Sequence, residues 1–234
     1  MNELLLAGSS LASALFTTLM WKLGKNRLYA AIIVFLILIA SVGGKLVPVF
    51  GHVTNSGNIF YASVFLCTYF LIERFGRRAG IYSIVVGVTS VFFFSLLVWM
   101  TLISNGAAEM KDLNGAMWVV YGAEPRIALA SLVAFTLSQT LNVYLYIFLK
   151  QRMEGRNLWL RANLSNALAQ ALDSVIFFTL AFSGILPSGH IVEIITTGFL
   201  LKVAFMALAA PLLYLNNVEE DDDSTVRLFS ITIR

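Results

Sequence analysis

The sequence predicts an all-α integral membrane protein of about seven transmembrane helices, and three observations carry that reading. Of the 234 residues, 59% are hydrophobic and only 12% are charged, against a soluble norm of roughly 45–50% apolar and about 25% charged. Most of the charges fall in short stretches between long apolar runs. The runs have the length, about 20 residues, that a helix needs to cross a hydrocarbon core of about 30 Å.

The predicted spans are Leu4–Trp21, Leu28–Val47, Asn58–Ile72, Ala79–Ser104, Ile127–Leu149, Ala162–Leu186 and Ile194–Leu215. The first competes with a signal peptide, but its leading segment carries Glu3 rather than a cation, and no cleavage site precedes Lys22, Lys25 and Arg27. It is read as a helix. The third is short. Residues 1–217 make one transmembrane domain, followed by an acidic tail, 218–234, whose Glu219–Asp223 stretch is expected to be solvated.

Orientation follows from the basic residues, which accumulate in cytoplasmic loops. The loops after the first, third and fifth runs hold Lys22, Lys25, Arg27, Arg74, Arg77, Arg78, Lys150, Arg152, Arg156 and Arg161. Those after the second, fourth and sixth hold Lys45, Lys111 and Arg126, beside the acids Glu109, Asp112, Glu124 and Glu193. The N-terminus is thus expected outside and the C-terminus inside. The connection Asn105–Arg126, with Gly106, Gly115, Gly122 and Pro125, is the longest on the external side and reads as a lid or a tether, the tether being favoured.

Enzyme and metal motifs are missing: there is no Walker A sequence and no HExxH, and the two histidines, His52 and His190, fall in external loops. The single cysteine, Cys67, excludes an intramolecular disulfide and a thiolate cluster and reads as packing. A net charge of +3, dispersed over loops, gives no basic face for nucleic acid. No enzyme, cofactor or metal is expected.

Polar residues at membrane depth face protein, water or ligand, so they are the functional candidates. In the sixth run Asn163, Asn166, Gln170, Asp173 and Ser174 fall within an arc of about 100° on a helix, and in the fifth Ser131, Ser138, Gln139 and Asn142 do the same. Two such faces can line one polar cavity. They can equally be interhelical glue, which is the favoured reading for the serines. Asp173 needs a partner or solvent because an isolated buried carboxylate is costly. Lys202 has the strongest claim to be that partner, whereas Lys45 and Arg126 lie near external ends, where they can snorkel.

Several strings then resemble the YhhQ-like, or vitamin-uptake-transporter-like, family of queuosine-precursor transporters from about Lys45 onward. Asn58-Ile59-Phe60, Phe65, Thr68 and Glu73-Arg74-Phe75-Gly76 are similar to the family's third-run pattern. Arg126-Ile127-Ala128, Ala130-Ser131, Ser138-Gln139 and Asn142-Val143 are similar to its fifth-run strings. The longest match is Leu158-Trp159-Leu160-Arg161-Ala162-Asn163-Leu164-Ser165, continuing through Gln170, Asp173-Ser174 and Phe177 to Ala181-Phe182 and Gly184. Two family carboxylates are replaced, by Tyr69 and Asn142, and the first run is additional to the core.

The resemblance implies a six-helix core that imports a 7-deazaguanine such as 7-cyano-7-deazaguanine, a precursor of modified tRNA nucleosides, across the cytoplasmic membrane. The substrate-binding set expected from stripes and resemblance together is Asp173, Gln170, Asn163, Asn166, Gln139, Asn142, Arg126, Glu73, Lys202, Tyr69 and Phe135. Asp173 is expected to accept from the ring N–H and amine, an amide to meet the carbonyl, and Phe135, Tyr69 or Trp159 to stack. A substrate-capturing subunit that needs separate energy-coupling subunits and a non-transporting helical scaffold are the competing readings. The partners expected are the small-molecule substrate and lipid, and a homodimer is compatible with the sequence.

Overall fold

The computed structural model describes residues 1–43, 45–49, 51–121, 124–154, 156–185 and 187–215. The acidic tail lies outside them. The chain runs α1 (Asn2–Lys22), α2 (Lys25–Val42), β1 (Leu46–Val49), β2 (His52–Asn55), α3 (Asn58–Ile103), α4 (Lys111–Tyr121), α5 (Glu124–Arg152), α6 (Leu158–Phe182) and α7 (Ser188–Ala209), with short 3-10 turns at Ala108–Met110 and Ala210–Leu215. Six of the described helices are long and apolar enough to cross a membrane. The chain is a multi-pass, all-α membrane protein.

One of those six is two helices. The 46 residues of α3 are broken at Gly76, whose φ of 77° and ψ of −178° no side-chain-bearing residue adopts without strain. A straight helix would hold Thr68 and Ser83 about 22 Å apart at 1.5 Å per residue. Their hydroxyl oxygens are 3.5 Å apart instead, and Gly80 lies against Ile72. The segment is therefore a hairpin whose arms, 58–75 and 77–103, are termed α3a and α3b, which brings the crossings to seven. The loop expected between the third and fourth runs shrinks to this one residue.

The arm α3a is the axis of the bundle. Asn58, Ile59 and every residue from Ala62 to Ile72 are buried, so the helix is enclosed on all sides by protein. On one side Thr17 of α1 meets Cys67, with Oγ1 and Sγ 3.7 Å apart, and Trp21 packs on Phe70. Helix α2 presents Leu28, Ala31, Ile32, Phe35 and Leu36, a helical stripe, to the hairpin. In contrast α3b leaves Phe92, Phe93, Leu97, Trp99 and Met100 exposed, and α1 does the same with Leu4, Leu11 and Leu15, the pattern of a lipid-facing surface.

Around α3a, α5 runs parallel and α6 antiparallel. Tyr69 reaches Asn142 on α5 and Ser165 on α6, while Glu73 reaches Tyr146 and Arg161. Two elements had no counterpart in the sequence reading. Strands β1 and β2 pair antiparallel, Val47 with Thr54 and Val49 with His52, where the second run was expected to continue to Val47. The external connection contains α4, which buries none of its residues.

Candidate functional site

A cavity of about 280 Å³ opens at the end of the bundle where α2 finishes and α3a begins. Its walls are largely apolar and aromatic: Phe135 of α5, Phe177, Phe178 and Phe182 of α6, Tyr61 of α3a, and Val119 and Val120 of α4 at the rim. Polar groups enter from Asn55, Asn58, Ser95, Ser131 and Lys202. An apolar recess with a few converging polar groups is the usual form of a small-molecule site. Among the described residues lining it, Lys202 is the one that carries a charge.

Lys202 is held from two sides. Its Nζ donates to Asp173 Oδ2 at 2.6 Å and stands 4.3 Å from the centre of the Tyr61 ring. Ser138 Oγ donates to the other carboxylate oxygen, Oδ1, at 3.3 Å. Lys202 and Asp173 are 2% and 1% exposed, so the pair is fully desolvated and closes the cavity's floor. Removing one member of such a pair typically costs about 3–5 kcal/mol, because an uncompensated charge is left behind.

Beneath the floor lies a polar layer. Gln139 Nε2 donates to Thr68 Oγ1 at 2.7 Å. The Tyr69 hydroxyl is 2.8 Å from Asn142 Oδ1, 3.0 Å from the Ala162 carbonyl and 3.1 Å from Ser165 Oγ. Gln170 Nε2 contacts Asn166 Oδ1 at 3.5 Å. Among the described residues, six buried side-chain atoms lack a hydrogen-bond partner: Gln139 Oε1, Asn142 Nδ2, Asn163 Oδ1, Asn166 Nδ2, Gln170 Oε1 and Ser174 Oγ. All six belong to the stripes of α5 and α6. Each costs about 1–3 kcal/mol in stability, so the grouping is not what packing alone selects.

The opposite end of the bundle is held by charge. Glu73 Oε2 accepts from Arg161 Nη2 at 2.9 Å and pairs with Lys150 at 3.4 Å, while Oε1 accepts from the Tyr146 hydroxyl at 2.8 Å. Tyr146 stacks on Tyr69, with ring centres 4.5 Å apart, which links this cluster to the polar layer.

The expected residues thus fall into groups. Lys202 and Phe135 line the cavity and Asp173 supports Lys202 from below. Gln139, Asn142, Asn166, Gln170 and Tyr69 form the polar layer, and Glu73 belongs to the far-end cluster. Arg126 is elsewhere: it is exposed, and its Nε and Nη2 donate to the Leu180 and Ser183 carbonyls at 2.8 and 2.6 Å, capping α6. Asn163 donates to the Trp159 carbonyl near the start of α6. Asn58 and Tyr61 were missed as lining residues, although Asn58 stood in a quoted motif. The signal was available, since Tyr61 lies three residues on, less than one helical turn from Asn58.

Residues 55–216 match the family described as "Putative vitamin uptake transporter". A "Probable queuosine precursor transporter" from Bacillus subtilis (strain 168) is 32% identical over 176 residues, covering 73% of this chain and 74% of the relative. No solved structure matches the chain. The matched region begins at the end of β2 and takes in α3 to α7, so it contains the cavity's floor, the polar layer and the charged cluster, while α1 and α2 precede it. With that coverage and identity, the chain belongs to the vitamin uptake transporter family, a family of membrane transporters and not of enzymes.

Proposed function

We propose that this chain imports a queuosine precursor, 7-cyano-7-deazaguanine or a close relative, across the cytoplasmic membrane. The similarity to the Bacillus subtilis "Probable queuosine precursor transporter" supports the substrate class. The observation that carries the reading is the cavity: about 280 Å³, walled by Tyr61, Phe135 and Phe178, with Lys202 on its floor. The aromatic walls suit a flat bicyclic base. The Lys202 ammonium, whose proton donors outnumber its one close acceptor, suits a ligand that presents an acceptor.

That charge also ranks the candidates. Asp173 is already bonded to Lys202 and Ser138, so among the described residues no lining carboxylate is left to receive a cationic substituent. A neutral nitrile is compatible with the floor, and a protonated aminomethyl group meets like charge. On the orientation the basic residues favour, the cavity opens outward and the Glu73 cluster closes the cytoplasmic end.

The test is a thermal-shift series on the purified chain with 7-cyano-7-deazaguanine, 7-aminomethyl-7-deazaguanine, queuine and guanine, followed by uptake into liposomes containing this chain alone. Stabilisation by mass action is expected, largest for the cyano compound. A chain stabilised by none of them does not carry this class. Binding without uptake would identify a capturing subunit instead of a transporter.

A further inference from the structure

The four amides beneath the cavity share one peculiarity. Each uses one end of its amide group and leaves the other free. Gln139 donates through Nε2 and leaves Oε1; Asn142 accepts through Oδ1 and leaves Nδ2; Asn166 accepts through Oδ1 and leaves Nδ2; Gln170 donates through Nε2 and leaves Oε1. Two free acceptors and two free donors therefore stand in a desolvated layer, each residue no more than 1% exposed.

Their depth is fixed by bonds to the central arm. Gln139 and Asn142 reach Thr68 and Tyr69, and Tyr69 reaches Ser165, the neighbour of Asn166. Gln170 lies one turn nearer the cavity, and Asp173 nearly one turn further, at the floor. The layer thus occupies the stretch between the cavity and the Glu73 cluster. Neither bounding carboxylate is free, since Asp173 is bound to Lys202 and Glu73 to Arg161, so the layer offers dipoles and not charge.

We propose that Gln139, Asn142, Asn166 and Gln170 form a second, inner substrate station, separate from the outer cavity. It reads the hydrogen-bonding edge of a neutral heterocycle after the Asp173–Lys202 floor opens. This rests on the import reading above. A lactam with an adjacent amino group supplies N–H donors for the two free carbonyls and a carbonyl for the free amides. An ion would find no uncommitted carboxylate here, and an apolar solute would leave the amides unpaired. The layer is closed in this conformation, so a ligand in the outer cavity does not touch it.

The test compares wild type with the double variant Asn166→Leu/Gln170→Met in the full-length chain. Melting temperature, equilibrium binding of 7-cyano-7-deazaguanine and its uptake into liposomes are measured on the same preparations. Replacing two half-satisfied buried amides by apolar side chains of similar size relieves unpaired groups, so the melting temperature is expected to hold or rise. Binding at the outer cavity should stay within about twofold, and uptake should fall at least about tenfold, the scale of one lost hydrogen bond. Uptake within about twofold of wild type overturns the station. So does a melting temperature that falls with uptake, since that is the behaviour of interhelical glue. A loss of binding equal to the loss of uptake overturns the separation of the two sites. A wild-type chain that neither binds nor takes up the probe fails earlier and sinks the import reading itself.

Discussion

The Tyr69 hydroxyl lies 2.8 Å from Asn142 Oδ1, so the two positions at which the sequence reading expects this chain to depart from a family carboxylate are in direct contact. Two carboxylates so placed would repel, share a proton or hold a cation. A phenol and an amide instead make a neutral bond between α3a and α5. Tyr69→Phe keeps the stacking on Tyr146 but removes that bond and its links to Ala162 and Ser165. It is expected to cost about 1–3 kcal/mol, because buried Asn142 loses its partner. A melting temperature equal to wild type would show that the bond contributes nothing.

The Asp173–Lys202 pair predicts an asymmetric pair of results. Asp173→Asn strands the buried ammonium and should lower stability by about 3–5 kcal/mol, whereas Asp173→Leu/Lys202→Met removes both charges and should recover most of it. Chemical denaturation in detergent measures both. Uptake should be lost in each, since neither keeps the cavity's cation in place. A single variant as stable as wild type would contradict the desolvated pairing.

At the far end, Glu73→Gln removes the negative charge, and one of the two acceptor oxygens, that hold Arg161, Lys150 and Tyr146 together. Loosening there should expose the polar layer from that side. With Cys67 replaced by Ser, a cysteine introduced as Ser165→Cys is expected to react with a hydrophilic maleimide at least about tenfold faster in the Glu73→Gln background, a gain of ~1.4 kcal/mol in opening. Equal rates would mean that the cluster does not restrict access.

Gly76→Ala tests the hairpin. The space around the glycine is open, so any penalty is conformational and not steric. With φ at 77° and ψ at −178°, an added Cβ should cost about 1–3 kcal/mol. Unfolding measured beside an Ala substitution at Gly115, inside the exposed α4, separates this from general helix propensity. An effect no larger at Gly76 would remove the strain argument.

Orientation can be checked from the tail. A single Asp222→Cys, again with Cys67 replaced, should react with an impermeant maleimide only after cells are opened, as the distribution of Lys and Arg requires. Reaction in intact cells would reverse the topology and, with it, the assignment of the cavity to the outside.

The parts of this architecture that were readable from the sequence share one property, a polar side chain set against an apolar background. The stripes on α5 and α6 stood out at helical spacing, and their buried members are where the unpaired amides now lie. Lys202 was singled out as a partner for Asp173 because a cation deep in a span needs one. The central place of α3a was not readable, since a helix surrounded by protein and a helix surrounded by lipid are both apolar all round. Nor was the role of Arg126, whose bonds run to main-chain carbonyls that carry no residue signature. The short strands between α2 and α3 were hidden because Val47 and Val49 extend an apolar run as well as a helix would.

Gly76 also bears on how the molecule can move. With one non-helical residue between its arms, the hairpin has little slack: α3a and α3b cannot slide or part without straining the bend and separating Thr68 from Ser83 and Gly80 from Ile72. They form a stiff wedge, with α3a at the middle of the bundle and α3b toward its lipid-facing surface. Any change in which end stands open must therefore run along the seams between this wedge and α5, α6 and α7. Those seams carry the Tyr69, Glu73 and Tyr61 contacts, so the side chains that fasten the helices at rest are the ones that have to let go in turn.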